Sequence, residues 1–102
     1  MSEERCRLDV WLWRARFFKS RSLAAAHLAA GGVRLDRPGG ARRAEPATQA
    51  APGDRLVFAG ADGRVRCISI VALGHRRGPA SEARSLYEEI QALLDDGAEV
   101  AS

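Results

Sequence analysis

The reading of the fold turns on one stretch, Ser20-Arg21-Ser22-Leu23-Ala24-Ala25-Ala26-His27-Leu28-Ala29-Ala30-Gly31-Gly32-Val33-Arg34-Leu35-Asp36. Either serine can cap a helix by accepting a bond from a free amide of the first turn. The alanine-rich run that follows is the strongest helix former available, and its small side chains allow a close approach of backbones. Gly31-Gly32 ends the helix, because glycine takes the left-handed cap without steric cost. Val33 to Asp36 then alternates apolar and polar, the signature of a short strand. Hydroxyls and cations thus stand at the start of a helix that runs directly into a sheet.

Towards the N-terminus, Leu8, Trp11, Leu12, Ala15 and Phe18 recur at the spacing of one helical face. Asp9 lies where a carboxylate caps free amides and favours the dipole. Trp13 and Phe17, four residues apart, fall on another side. They predict either a second packing surface or an aromatic patch left for a partner. Towards the C-terminus, Arg37-Pro38-Gly39-Gly40 reads as a turn, and residues 41–52 as irregular chain rich in Ala and Pro. Pro52-Gly53-Asp54 is a further turn, Leu56-Val57-Phe58 a strand, and Gly60-Ala61-Asp62-Gly63 a tight hairpin connection. Val65 to Leu73 is the strongest strand, β-branched and partly alternating. After the basic loop Gly74-His75-Arg76-Arg77-Gly78-Pro79, a third helix is expected from Ser81. Its apolar face is Ala83, Leu86, Tyr87, Ile90, Leu93 and Leu94, and Gly97 ends it.

The expected fold class is therefore α+β: two N-terminal helices packed on a small antiparallel sheet, with a C-terminal amphipathic helix. The 102 residues suit one compact unit, with the sheet-bearing domain at 7–73 and an extension carrying the helix and an acidic tail at 74–102.

The net charge is only +3, but it is polarised. Residues 1–43 hold ten basic side chains against four acidic ones, and residues 80–102 hold one against six. A concentrated basic half attracts polyanions even when the whole chain is nearly balanced. Placed on the expected elements, Arg7 opens the first helix and Arg14 and Arg16 flank it. Lys19, Ser20, Arg21 and Ser22 form the turn into the second helix, and Arg34 points out of the first strand. Amides at a helix start donate to anions, the dipole adds to the attraction, and the flanking cations supply full charges. Such a surface suits structured RNA, where backbone shape counts for more than base sequence. The bland alternative is a solvated basic face with two ordinary serine caps.

Other chemistries find little support. Cys6 and Cys67 form no CxxC pair, and His27 and His75 lack ligand spacing, so neither a disulfide, a metal site nor a cofactor is expected. No nucleophile–base set or glycine-rich phosphate loop is present, so the expectation is a non-enzyme. No run of eighteen apolar residues and no leader pattern is seen, which predicts a cytoplasmic protein without membrane contact. A DNA-binding helix-turn-helix is a rival reading of the two helices, but the second offers no Arg, Asn or Gln along its alanine run to read base edges. A protein-interaction module built on the acidic C-terminal helix is the other rival.

The ordered set Arg7-Leu8-Asp9, Leu12, Ser20-Arg21-Ser22, Ala25, Gly31, Val33, Arg34 and Leu35, with Pro46 and Gly53-Asp54 later, resembles the RNA-binding domain of S4 type, with its αL motif. The tryptophan-rich opening from Asp9 to Lys19 narrows the resemblance. So does Arg76-Arg77-Gly78-Pro79-Ala80 followed by Leu86-Tyr87-Glu88-Glu89. Together they are similar to the heat-shock protein fifteen family, over about residues 7–89. The resemblance implies a monomer that binds ribosomal RNA, and tRNA with it, on large ribosomal subunits stalled with an unfinished chain. The implied contacts are Arg7, Arg14, Arg16, Lys19, Ser20, Arg21, Ser22 and Arg34, with Arg76 and Arg77 as a second group. The chain departs from the family pattern at Asp36-Arg37, where Asn-Gly is usual, at the longer turn through Gly40, and at Val10, where a cation is common.

Overall fold

The computed structural model describes residues 5–37, 39–60 and 63–90. A short strand, β1 (Cys6–Arg7), leads into α1 (Leu8–Arg14) and α2 (Arg21–Ala29). The rest of the described chain is mostly sheet: β2 (Val33–Arg37), β3 (Gly40–Arg43), β4 (Gln49–Ala50), β5 (Arg55–Ala59) and β6 (Val65–Ile70), then α3 (Ala80–Arg84) and β7 (Tyr87–Glu89). Five strands form one antiparallel sheet in the order β3-β2-β5-β6-β7, while β1 and β4 pair separately beside α1.

One face of that sheet is apolar and both leading helices pack on it. Val33 and Leu35 of β2, Leu56 and Phe58 of β5, and Ile68 and Ile70 of β6 are buried against Leu8, Trp11 and Leu12 of α1 and Ala24 and Leu28 of α2. The register places Leu35 opposite Leu56 and Leu56 opposite Ile68, so the alternation of each strand delivers one continuous core face. Burying side chains of this size stabilises by about 1.5–3 kcal/mol each. The opposite face carries Arg34, Arg55 and Val57 and has no helix on it among the described residues.

The helix ends follow from local chemistry. Ser20 caps α2, its hydroxyl accepting from the Leu23 amide at 3.1 Å. At the other end Gly31, with φ 84°, and Gly32 return their amides to Leu28 and His27. That is the paired closure expected of a glycine cap. The Arg43 guanidinium donates to the Ala29 carbonyl at 2.6 Å and so satisfies another open acceptor of the helix end. Asp9 is buried in the first turn of α1, taking the Val10 amide at 2.7 Å.

Four expectations need correction. The first helix stops at Arg14 rather than running to Phe18, because Arg16 adopts φ 67° and the Phe17 amide turns back to the Leu12 carbonyl. Residues 41–52 are not wholly irregular: Gly40–Arg43 pairs with β2, and Gln49–Ala50 pairs with β1. β3 is an edge strand exposed along its whole length, so no apolar alternation marks it. β6 ends at Ile70, beyond which the Val71 and Ala72 amides both donate to the Leu86 carbonyl. The third helix closes after Arg84, and Tyr87–Glu89 is a strand on the free edge of β6. The apolar spacing of Ala83, Leu86 and Tyr87 suits a helix, but a strand here pairs with the edge of β6, whose backbone groups a helix could not satisfy. Leu93, Leu94 and Gly97 lie outside the described residues.

Candidate nucleic-acid interface

The turn from α1 to α2 is built from below by arginines. Arg14 donates to the Leu73 and Gly74 carbonyls at 3.3 and 2.8 Å. Arg16 donates through Nε to the Gly78 carbonyl at 2.7 Å. In the opposite direction Arg77 reaches back to the Trp13 and Phe18 carbonyls at 3.1 and 3.4 Å, its guanidinium 5.9 Å from the centre of the Trp13 ring. The Trp11 indole adds a bond to the Ala72 carbonyl at 2.9 Å. Four side chains therefore clamp the 72–78 segment to the helical turn. A charged donor bonded to a carbonyl contributes about 1.5–3 kcal/mol, so these links are structural whatever else they do.

Above this clamp stand Lys19, Arg21 and Ser22, all exposed. None makes a side-chain hydrogen bond or ion pair among the described residues. The first-turn amides of α2 lie beside them, with only that of Leu23 taken by Ser20. Ser20 is thus confirmed as a cap, and the two cations flanking it are unspent.

The other candidates are dispersed. Arg7 grips Asp9 with two nitrogens, at 3.1 and 2.9 Å, which holds the Arg7 pKa above its ordinary value. Arg76 does the same with Glu82 at 3.2 and 2.7 Å, and that bond holds the Glu82 carboxyl below the usual range. Arg34 lies on the sheet face turned away from both helices, opposite Val57 and Arg43. Phe17 turns inward, with ring centres 5.1 Å from Phe58 and 4.6 Å from Tyr87. It is a packing residue, and Trp13 is half-buried under Arg77.

Three of the cations that the sequence analysis left without a role stand exposed or beside a cleft. Arg42 is exposed on β3, and Arg66 and Arg84 face a shallow cleft beside Phe17 and Tyr87. Their strand and helix spacing carries no signal of a common location. A wider groove of about 750 Å³ lies beside β4, but its walls are mainly Ala, Pro, Val and Leu, and its Arg37 is tied to Asp54 at 2.8 Å. Among the described residues no three His, Cys, Asp or Glu side chains gather as metal ligands, and no helix is long and apolar enough to cross a membrane. Burial pushes the Cys6 thiol up, away from a reactive thiolate.

The S4 domain profile matches residues 6–56, a span that holds α1, the turn, α2 and the first strands of the sheet. Along nearly the whole chain, 99% of it and 73% of the relative, the sequence is 35% identical to a heat shock protein 15 homolog of Haemophilus influenzae. The chain belongs to the heat shock protein 15 family. Its similarity to heat shock protein 15 of Escherichia coli K12 is 36% over 81% of the chain and 59% of that protein. A solved heat shock protein 15 from Vibrio cholerae, described as trimeric, superposes with a TM-score of 0.79 at 32% identity, covering 96% of this chain and 94% of that one. Beyond the S4 span this chain adds β6, α3 and β7, and RNA is the ligand class of the S4 domain.

Proposed function

We propose that this chain is a non-catalytic RNA-binding protein that sets its α1–α2 turn on structured ribosomal RNA of the large subunit. In this reading it acts in the rescue of stalled subunits that carry a nascent chain on tRNA. The observation that carries the reading is the exposed, acid-free group of Lys19, Arg21 and Ser22 at the start of α2, held on a clamped base. Donors fixed before binding lose little freedom on contact, which suits recognition of a folded backbone. Arg14, Arg16 and Arg77 serve first as supports. Arg7 and Arg76 would reach phosphate only by sharing with Asp9 and Glu82. Arg34 would contact RNA only where the RNA wraps onto the far sheet face. The S4-like part at 7–73 is taken as the binding unit and 74–102 as the extension that braces it. We take the protein to act as a cytoplasmic monomer, and analytical ultracentrifugation of the full chain measures its oligomeric state directly.

The test is binding of the full chain to a labelled large-subunit RNA fragment across a salt series. Affinity should fall steeply with salt, since each neutralised phosphate releases condensed counterions. Lys19→Ala and Arg21→Ala should each weaken binding by about 1 kcal/mol or more, alike for different RNA sequences. Wild-type affinity in both variants would remove the turn as the binding face. Better competition by duplex DNA than by rRNA would favour the helix-turn-helix reading instead.

A further inference from the structure

We propose that the cleft between the end of α1, β6 and α3 receives a single unstacked RNA nucleotide. This rests on the RNA-binding reading and adds a ligand class for a surface beside the α1–α2 turn. The cleft holds about 180 Å³, and its walls include Arg16, Phe17, Arg66, Arg84 and Tyr87. Small-molecule sites commonly run from about 300 to 1,000 Å³, so this one suits one flat ring rather than an extended ligand.

The walls combine the two surfaces on which bases stack, aromatic rings and guanidinium planes. The Arg66 guanidinium lies 5.2 Å from the centre of the Phe17 ring, and Tyr87 packs on the same ring at 4.6 Å. Arg66 is also ion-paired with Glu89, so this layer is fixed before any ligand arrives. Phosphate would meet the other two cations. Arg84 is exposed on α3 and makes no side-chain bond or ion pair among the described residues. Arg16 is aimed by its unusual backbone, φ 67°, and by the single bond from Nε to the Gly78 carbonyl. A left-handed conformation is disfavoured for any residue with a side chain, and such outliers persist where the surroundings enforce them. Here it turns the chain so that Phe17 enters the core while Arg16 stays at the cleft mouth. A base inside a duplex cannot enter such a cleft, whereas a bulged or looped one can.

The experiment compares two RNAs with the full-length chain: a perfect hairpin and the same hairpin with one bulged nucleotide. The wild type should bind the bulged form at least about fivefold more tightly, the lower end of what stacking one base supplies. Arg84→Ala, which removes a cation assigned to the extruded nucleotide's phosphate, should narrow that preference at least about twofold while leaving affinity for the perfect hairpin unchanged. Arg55→Ala, which alters an exposed cation on the far sheet face, should keep the preference. Equal binding of the two RNAs by the wild type, or a preference undiminished by Arg84→Ala, would overturn the nucleotide receptor. Failure to bind either RNA would overturn the RNA reading itself. Lys19→Ala and Arg21→Ala separate the two, since they should weaken both hairpins alike.

Discussion

Gly32 and His27 show how closely two residues can depend on each other. The His27 ring lies against the glycine, and a Cβ built on Gly32 would stand 2.4 Å from Nε2. Nε2 is buried without a hydrogen-bond partner, and the ring also touches Phe18, with centres 5.2 Å apart. Gly32→Ala therefore has to push the ring out of a packed site, and it should cost about 1–3 kcal/mol in urea unfolding. An unchanged midpoint would mean that the ring swings away freely. At Glu82 the bond from Arg76 holds the carboxyl low, so its pairing supports folding above the ordinary carboxylate pKa and is lost as pH falls through the depressed folded value. An NMR titration should show Glu82 protonating below the ordinary carboxylate range, and Arg76→Ala should return it there.

At the scale of elements, the α1–α2 turn separates support from contact. Arg14 and Arg77 brace it through backbone carbonyls, whereas Lys19 and Arg21 make no side-chain hydrogen bond or ion pair among the described residues. Arg14→Ala should lower stability by about 1–3 kcal/mol, because it leaves carbonyls without their donor and removes a half-buried cation. Lys19→Ala should leave the unfolding curve in place and weaken only RNA binding. Should Arg14→Ala prove as stable as the wild type, the clamp is not what holds the 72–78 segment. Ser20→Ala removes the cap of α2 and should cost about 1 kcal/mol, read in the same assay.

At the scale of the molecule, the basic turn and the acidic strand β7 belong to one sheet-and-helix unit with its charge divided between regions. Such a protein should meet RNA in a defined orientation, its exposed Glu88 on the sheet face turned away from the helices. Plotted as log affinity against log salt, the slope should shallow by about one for each of Lys19→Ala and Arg21→Ala if each residue neutralises one phosphate. An unchanged slope would assign the salt dependence to other arginines.

Local chemistry alone was enough for much of this protein. The serine cap, the alanine helix, the double-glycine closure, the alternation of β2 and the core face of α1 could all be read directly, because each is decided by residues within a few positions of one another. The excess of cations near the α1–α2 turn was legible for the same reason. What those cations do was not, since Arg14, Arg16 and Arg77 are committed by carbonyls about sixty positions away. The edge strand β3 escaped notice because an exposed strand needs no apolar pattern. Tyr87–Glu89 carried a spacing suited to a helix, and only the open edge of β6 made it a strand. Sequence therefore determined the elements whose hydrogen bonds close locally. The fold decided the rest, because a backbone or a guanidinium whose partner is distant in the chain takes its role from whatever packing brings beside it.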